Sequence, residues 1–233
     1  MASDYVFSPP ATVSIPVLGQ NVRFPVRRIY CVGRNYEDHA KEMGFSGREA
    51  PFFFMKPNDS IVVMDNDRPG TIDYPTLTQN LHHEIELVAA IGTGGRDITA
   101  ADAHKHIFGY AVGLDMTRRD LQADMKKQGR PWDIAKGFDQ SAPIGPIVPT
   151  AQAGDIENAD IALKVNGIPR QASSVAKLIW TIAETIEHLS KAWELQPGDL
   201  IFTGTPEGVA AVVKGDVLEG TVAGLPTLTV RIG

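Results

Sequence analysis

Glycine and proline interrupt this chain so often that it cannot be assembled from long helices. There are 22 glycines and 16 prolines in 233 residues, spread from end to end. The apolar runs between them are short and rich in Val, Ile and Phe, the pattern of many short strands joined by turns. Strands are expected over 28–32, 52–55, 61–64, 84–91, 108–115, 162–165, 200–203 and 227–232. Asn166-Gly167, between Val165 and Ile168, is a strong hairpin signal. One segment is clearly helical. Over 173–193 the apolar residues Val175, Leu178, Ile179, Ile182, Ile186, Leu189 and Trp193 recur at intervals of three and four. Ser173 or Ser174 would cap this helix, and Pro197 follows it. Shorter helices are expected over 36–43 and 100–105, the second with Thr99 three residues before Asp102 as its start signal. The strands do not alternate with long helices, so the expected class is α+β, mainly β. No linker or repeat divides the chain. A single domain is expected over 26–233, preceded over 1–25 by an arm or small β extension.

The 22 basic and 28 acidic side chains give a formal net charge of −6, which speaks against a nucleic-acid partner or an anionic membrane surface. Small anionic substrates remain compatible, because a local cluster of cations overrides the global balance. Cys31 is the single cysteine, so no intrachain disulfide forms. The opening residues lack the basic and apolar regions of a leader, and no apolar run approaches the ~20 residues of a membrane span. A soluble cytoplasmic protein is expected.

The chemistry is concentrated in LHHEIELV, 81–88. In a strand, side chains alternate between faces, so Glu84 and Glu86 share one face while Ile85 and Leu87 point to the other. Two adjacent carboxylates repel, and a divalent cation removes that cost. A bare pair of this kind is more often a solvated strand face. Asp115 changes the balance, because it ends the apolar run FGYAVGLD, 108–115. Three converging carboxylates would make an all-oxygen site suited to Mg2+, Mn2+ or Ca2+ rather than zinc, with positions left for water and a bidentate ligand. Spacing alone does not bring Asp115 to the other two.

A cation held by three carboxylates carries −1, so an anionic substrate needs further positive charge nearby. Arg118, Arg119 and Lys136 follow Asp115, with Gln122 between them. Lys136 sits in an apolar setting that suits a buried, paired lysine. His39 and Glu42 lie three apart in a helical reading and would form an oriented base–acid pair, although a surface histidine with an incidental partner has the same spacing. The turn FTGTPEG, 202–208, offers the Thr205 hydroxyl and backbone N–H groups to a carboxylate, or is simply a turn. The glycine-rich run 91–97 lacks the third glycine of a dinucleotide loop, and nucleophile-elbow, zinc-protease and phosphate-loop motifs are absent. Cys31 lies inside an apolar strand and reads as core.

Taken in order, CVGRNYEDHAKEM, FFFMKP, NLHHEIEL, GYAVGLDMTRRD, PWDIAKGFD, LKVNG and PGDLIFTGTPEGV resemble the fumarylacetoacetate hydrolase family from about residue 28 to the C-terminus. Among its members the chain is most similar to those acting on fumarylpyruvate and other acylpyruvates. The resemblance implies a mixed β-sandwich roll with a few short helices, a homodimer, and a catalytic domain over 26–233. It implies that Glu84, Glu86 and Asp115 hold Mg2+ or Mn2+. It places a catalytic dyad at His39 and Glu42 on a segment that orders over substrate, with Lys136 stabilising charge. Arg119, Gln122, Thr205 and Lys56 are implied substrate contacts, while Arg118 has no counterpart. The implied reaction is hydrolysis of a C–C bond in a small anionic diketo acid, foremost fumarylpyruvate to fumarate and pyruvate in aromatic catabolism. The family also implies an alternative, oxaloacetate decarboxylation or isomerisation of related diketo acids.

Overall fold

The computed structural model describes residues 5–36, 48–64 and 69–233. Two sheets carry the architecture. The larger runs, in spatial order, Phe52–Lys56, Ile29–Gly33, Leu200–Phe202, Ile85–Ile91, Ile107–Leu114, Ala142–Ile144 and Ile61–Val63, and Val148–Pro149 also pairs with Ile107–Leu114. Its pairing is mixed: Leu200–Phe202 is parallel to Ile29–Gly33 and antiparallel to Ile85–Ile91. The smaller sheet runs Ile168–Ser174, Asp160–Val165, Val217–Val222, Leu228–Ile232 and Gly70–Ile72.

The expected class, α+β and mainly β, is the one observed. The central strand Ile85–Ile91 is buried throughout and divides its side chains by parity. Leu87, Ala89 and Ile91 enter the core between the two sheets, while Val88 and Ala90 enter a second core on the opposite face. The sheets approach closely where Gly220 lies, because a Cβ there would sit 2.5 Å from Ile85 Cδ1. The second core is covered by a short hairpin, Ser14–Pro16 with Arg23–Pro25, which contributes Ile15 and Phe24.

The Asn166-Gly167 hairpin forms as expected, with Val165 opposite Ile168 and left-handed φ of 52° and 76° at its two turn residues. Cys31 is buried core. The helix expected over 173–193 is shorter, Ile182–Ala192. Residues Ile168–Ser174 are drawn into the hairpin ladder with Asp160–Val165, and Ser174 instead caps a single 3-10 turn, Val175–Lys177. The Asn35 side chain then bonds both the N–H and the carbonyl of Trp180. The helix starts at Thr181, whose hydroxyl accepts from Glu184 N while the Glu184 carboxylate accepts from Thr181 N. The helix expected over 100–105 is a 3-10 turn, Ala103–His106. Of the helix expected over 36–43, only Tyr36 is among the described residues, and it bridges to Leu178. The helix Arg119–Gln128 was not expected, because its polar residues give almost no apolar stripe; Gly129, left-handed at φ 64°, ends it. Among the described residues no helix is long and apolar enough to cross a membrane.

Candidate metal and substrate site

Register brings the distant acids together. Ile85 pairs with Leu114 in an antiparallel ladder, so the next pair outward is Glu84 with Asp115, joined by a 2.9 Å bond from Asp115 N to Glu84 O. Glu86, two residues along on the face of Glu84, completes the group. Carboxylate oxygens of all three lie within 4.8 Å of one another, and all three side chains are buried.

Three cations surround them. Lys136, on the short helix Asp133–Lys136, places Nζ 2.8 Å from Glu84 Oε2, 2.6 Å from Asp115 Oδ2 and 2.7 Å from Thr117 Oγ1. Lys56 Nζ, at the end of an outer strand, stands 2.8 Å from Asp115 Oδ1, an ionic contact off the hydrogen-bond axis, and donates to the carbonyls of Met116 and Lys136. The Arg119 guanidinium donates to Glu84 and, at 2.5 Å, to Gln122 Oε1 one helical turn on. Beside it His82 is held to a pKa of about 4, first by burial and then by Arg119, so it is neutral and adds no charge.

Glu86 is buried against its two neighbouring carboxylates. Burial, reinforced by the Asp115 and Glu84 charges, pushes its carboxyl well above the usual range against the pull of the Gly204 N–H and Lys136. The bond from Gly204 N to Glu86 Oε2 is 2.7 Å. Only glycine fits at 204, where φ is 100° and a Cβ would lie 2.7 Å from that of Asn35. Burial depresses the Lys136 ammonium, but Asp115 and Glu84 outweigh it and hold the pKa above its usual value. A compact, buried set of carboxylate oxygens in which one acid resists ionisation fits a hard divalent cation such as Mn2+ or Mg2+.

Thr205 reaches the same pocket, along with Glu84, Glu86, Asp115, Arg119 and Gln122. Its hydroxyl belongs to a relay absent from the sequence reading. Gln171 Oε1 accepts from the Ile85 backbone N–H at 3.2 Å and meets His83 Nδ1 at 2.9 Å, so the amide orientation is fixed. Gln171 Nε2 must then donate, to Pro206 O and to Thr205 Oγ1, both at 2.8 Å. With its acceptor side engaged, Thr205 offers its own proton to the pocket. Burial holds His83 below its usual pKa, consistent with a neutral ring donating through Nδ1.

The structure therefore brings together Glu84, Glu86, Asp115, Lys136, Arg119, Gln122, Lys56 and Thr205 around one pocket or its charge network. His39 and Glu42 lie outside the described residues. Arg118 is buried and turned to other work, donating to Ile134 O at 3.0 Å with its guanidinium 4.4 Å from the centre of the Phe138 ring. Gln171 had no legible signal: simple extension of the Asn-Gly hairpin would pair Leu163 with Arg170, and only a register shift between Leu163 and Lys164 brings Gln171 opposite Leu163.

A model of the Fumarylacetoacetate (FAA) hydrolase C-terminal family matches residues 28–233. The chain belongs to the fumarylacetoacetate hydrolase family. It is 46% identical over 185 residues to a fumarylpyruvate hydrolase of Ralstonia sp, covering 79% of this chain and 94% of that one. It is 41% identical over 215 residues to an oxaloacetate tautomerase of Escherichia coli (strain K12), covering 92% and 96%. The crystal structure of fumarylpyruvate hydrolase from Pseudomonas aeruginosa in complex with Mn2+ and pyruvate superposes with a TM-score of 0.96 at 54% identity, covering 98% of this chain and 99% of that one.

Proposed function

We propose that this family member is a divalent-metal-dependent hydrolase that cleaves the C–C bond of an acylpyruvate, foremost fumarylpyruvate, to give fumarate and pyruvate. The observation that carries the reading is the buried triad Glu84, Glu86 and Asp115 inside a ring of Lys56, Lys136 and Arg119. Three carboxylates and a divalent cation sum to −1, and the three side-chain cations raise the total to +2, a setting for an anionic 2-oxo acid. The Ralstonia and Pseudomonas relatives support the same substrate.

A divalent cation held by Glu84, Glu86 and Asp115 would supply Lewis-acid polarisation of the substrate's keto group. Arg119, fixed by Glu84 and Gln122, and the Thr205 hydroxyl present donors to the substrate's anionic oxygens. His39, oriented by Glu42, takes a proton from the water that adds to the distal carbonyl. The C–C bond then breaks, with its electron pair leaving on the pyruvate enolate. Lys136 Nζ, held by three oxygens, faces that negative charge until protonation at carbon gives pyruvate.

Mg2+ or Mn2+ is the proposed metal, residues 26–233 the catalytic domain, residues 1–25 an arm or small β extension, a homodimer the assembly and the cytoplasm the location. The tautomerase of Escherichia coli and an oxaloacetate decarboxylase of Dictyostelium discoideum favour a second reading, in which the same pocket enolises or decarboxylates oxaloacetate without an attacking water. Side-by-side assays on fumarylpyruvate and oxaloacetate with Mn2+ separate the two. Release of equal amounts of fumarate and pyruvate supports the hydrolase, and turnover of oxaloacetate alone supports the second reading.

A further inference from the structure

The carboxylate pocket adjoins a larger cleft of about 590 Å3, and the two share Arg34, Phe54 and Trp132 in their walls. Much of the cleft wall is aromatic. Phe52 meets Trp132 edge-on, with centroids 5.3 Å apart and planes at 86°, and Phe54 lies 5.9 Å from the same ring. Such walls favour a flat, conjugated group over a hydrated one. Among the described residues, the charged side chains lining it are Arg34, Arg130 and Asp133. Arg34 is half-buried, and its guanidinium lies 5.2 Å from the centre of the Phe52 ring, which narrows the directions open to it. It stands at the join between the cleft and the pocket.

A substrate whose 2-oxo acid end is held at Glu84, Glu86 and Asp115 finds in this cleft an adjoining space for its other end. We propose that the cleft takes the acyl arm of the substrate and that Arg34 selects arms ending in a carboxylate. The ligand class is an acylpyruvate with an unsaturated, dicarboxylic acyl chain. The assignment rests on the acylpyruvate reading above, and it adds Arg34 as a determinant of specificity.

The test compares fumarylpyruvate with crotonylpyruvate, which carries a methyl group where fumarylpyruvate carries its terminal carboxylate. Wild-type protein with Mn2+ should prefer fumarylpyruvate. Arg34→Gln should lower kcat/KM for fumarylpyruvate by about 10- to 100-fold, mainly through KM, and leave crotonylpyruvate within about threefold. Arg34→Lys, which keeps the charge and much of the stem, should retain part of the preference and guards against loss of fold. Equal losses on both substrates, or no loss on either, would overturn the assignment. A wild-type protein that hydrolyses neither substrate contradicts the proposed reaction instead. Calorimetric binding of the two compounds to the same proteins then decides the role of Arg34. Tighter binding of fumarylpyruvate that vanishes in Arg34→Gln supports it, and equal affinities in the wild type refute it.

Discussion

Gln171 Nε2 donates to Thr205 Oγ1 at 2.8 Å, so the threonine hydroxyl accepts from this amide and its proton is left for another partner. The amide cannot be turned over, because its oxygen already accepts from the Ile85 N–H. Thr205→Val should therefore lower kcat/KM on fumarylpyruvate by about tenfold or more, whereas Thr205→Ser should stay within a few-fold of wild type. Steady-state kinetics checks both. The melting temperature should change little, because Pro206 O still accepts from Gln171.

Glu86, proposed as a cation ligand, is buried beside two other carboxylates. Its neutral isostere removes a buried charge that the two neighbouring carboxylates oppose. Metal-free Glu86→Gln should melt at or above the temperature of metal-free wild type. Mn2+ at 100 times its Kd should stabilise wild type by about 2.7 kcal/mol and the variant by far less. Thermal melts with and without Mn2+ give all four values.

His39→Ala should bind Mn2+ as wild type does yet lose about 10²- to 10⁴-fold in hydrolysis, the usual scale for a missing general base. Calorimetry with Mn2+ and a single-turnover assay on the same preparation separate the two effects. Full hydrolysis by the variant would remove His39 from the mechanism.

The helix Ile182–Ala192 gives a pH signature of its own. Burial raises the Glu184 carboxyl, but hydrogen bonds from Arg48 and from the Thr181 backbone and hydroxyl outweigh it and hold the folded pKa below the usual value. A depressed acid contributes stability that is present above its unfolded pKa and lost as pH falls through the folded one. Glu184→Ala should cost about 1 kcal/mol at neutral pH, a typical loss for a broken cap, and the difference should shrink in acid. Urea titrations at neutral and acidic pH measure it.

What was legible in the sequence follows from locality. Period-two alternation put Glu84 and Glu86 on one face and Ile85 and Leu87 on the other, and the strand carries that pattern into two separate cores. The Asn166-Gly167 turn was read from two residues because its backbone demands are local. The meeting of Glu84 with Asp115 was not, since it depends on the ladder pairing Ile85 with Leu114, a register set by packing across the sheet. The residues 173–181 misled for a related reason: their apolar spacing suits a helix, but pairing with Asp160–Val165 and the clamp of Asn35 on Trp180 hold them out of it. Arg119 and Gln122 were named without the helix that spaces them, because a polar helix leaves no apolar stripe to read.

The central claim is that a cation held by Glu84, Glu86 and Asp115 is required for acylpyruvate cleavage. Its most direct test is the loss of enol absorbance of fumarylpyruvate by EDTA-treated protein, before and after Mn2+ is restored, with Glu84→Ala measured alongside. No hydrolysis is expected before addition, with recovery after it, fumarate and pyruvate in equal amounts, and no recovery in Glu84→Ala. Full-rate hydrolysis by the metal-free protein, or by Glu84→Ala, would contradict it.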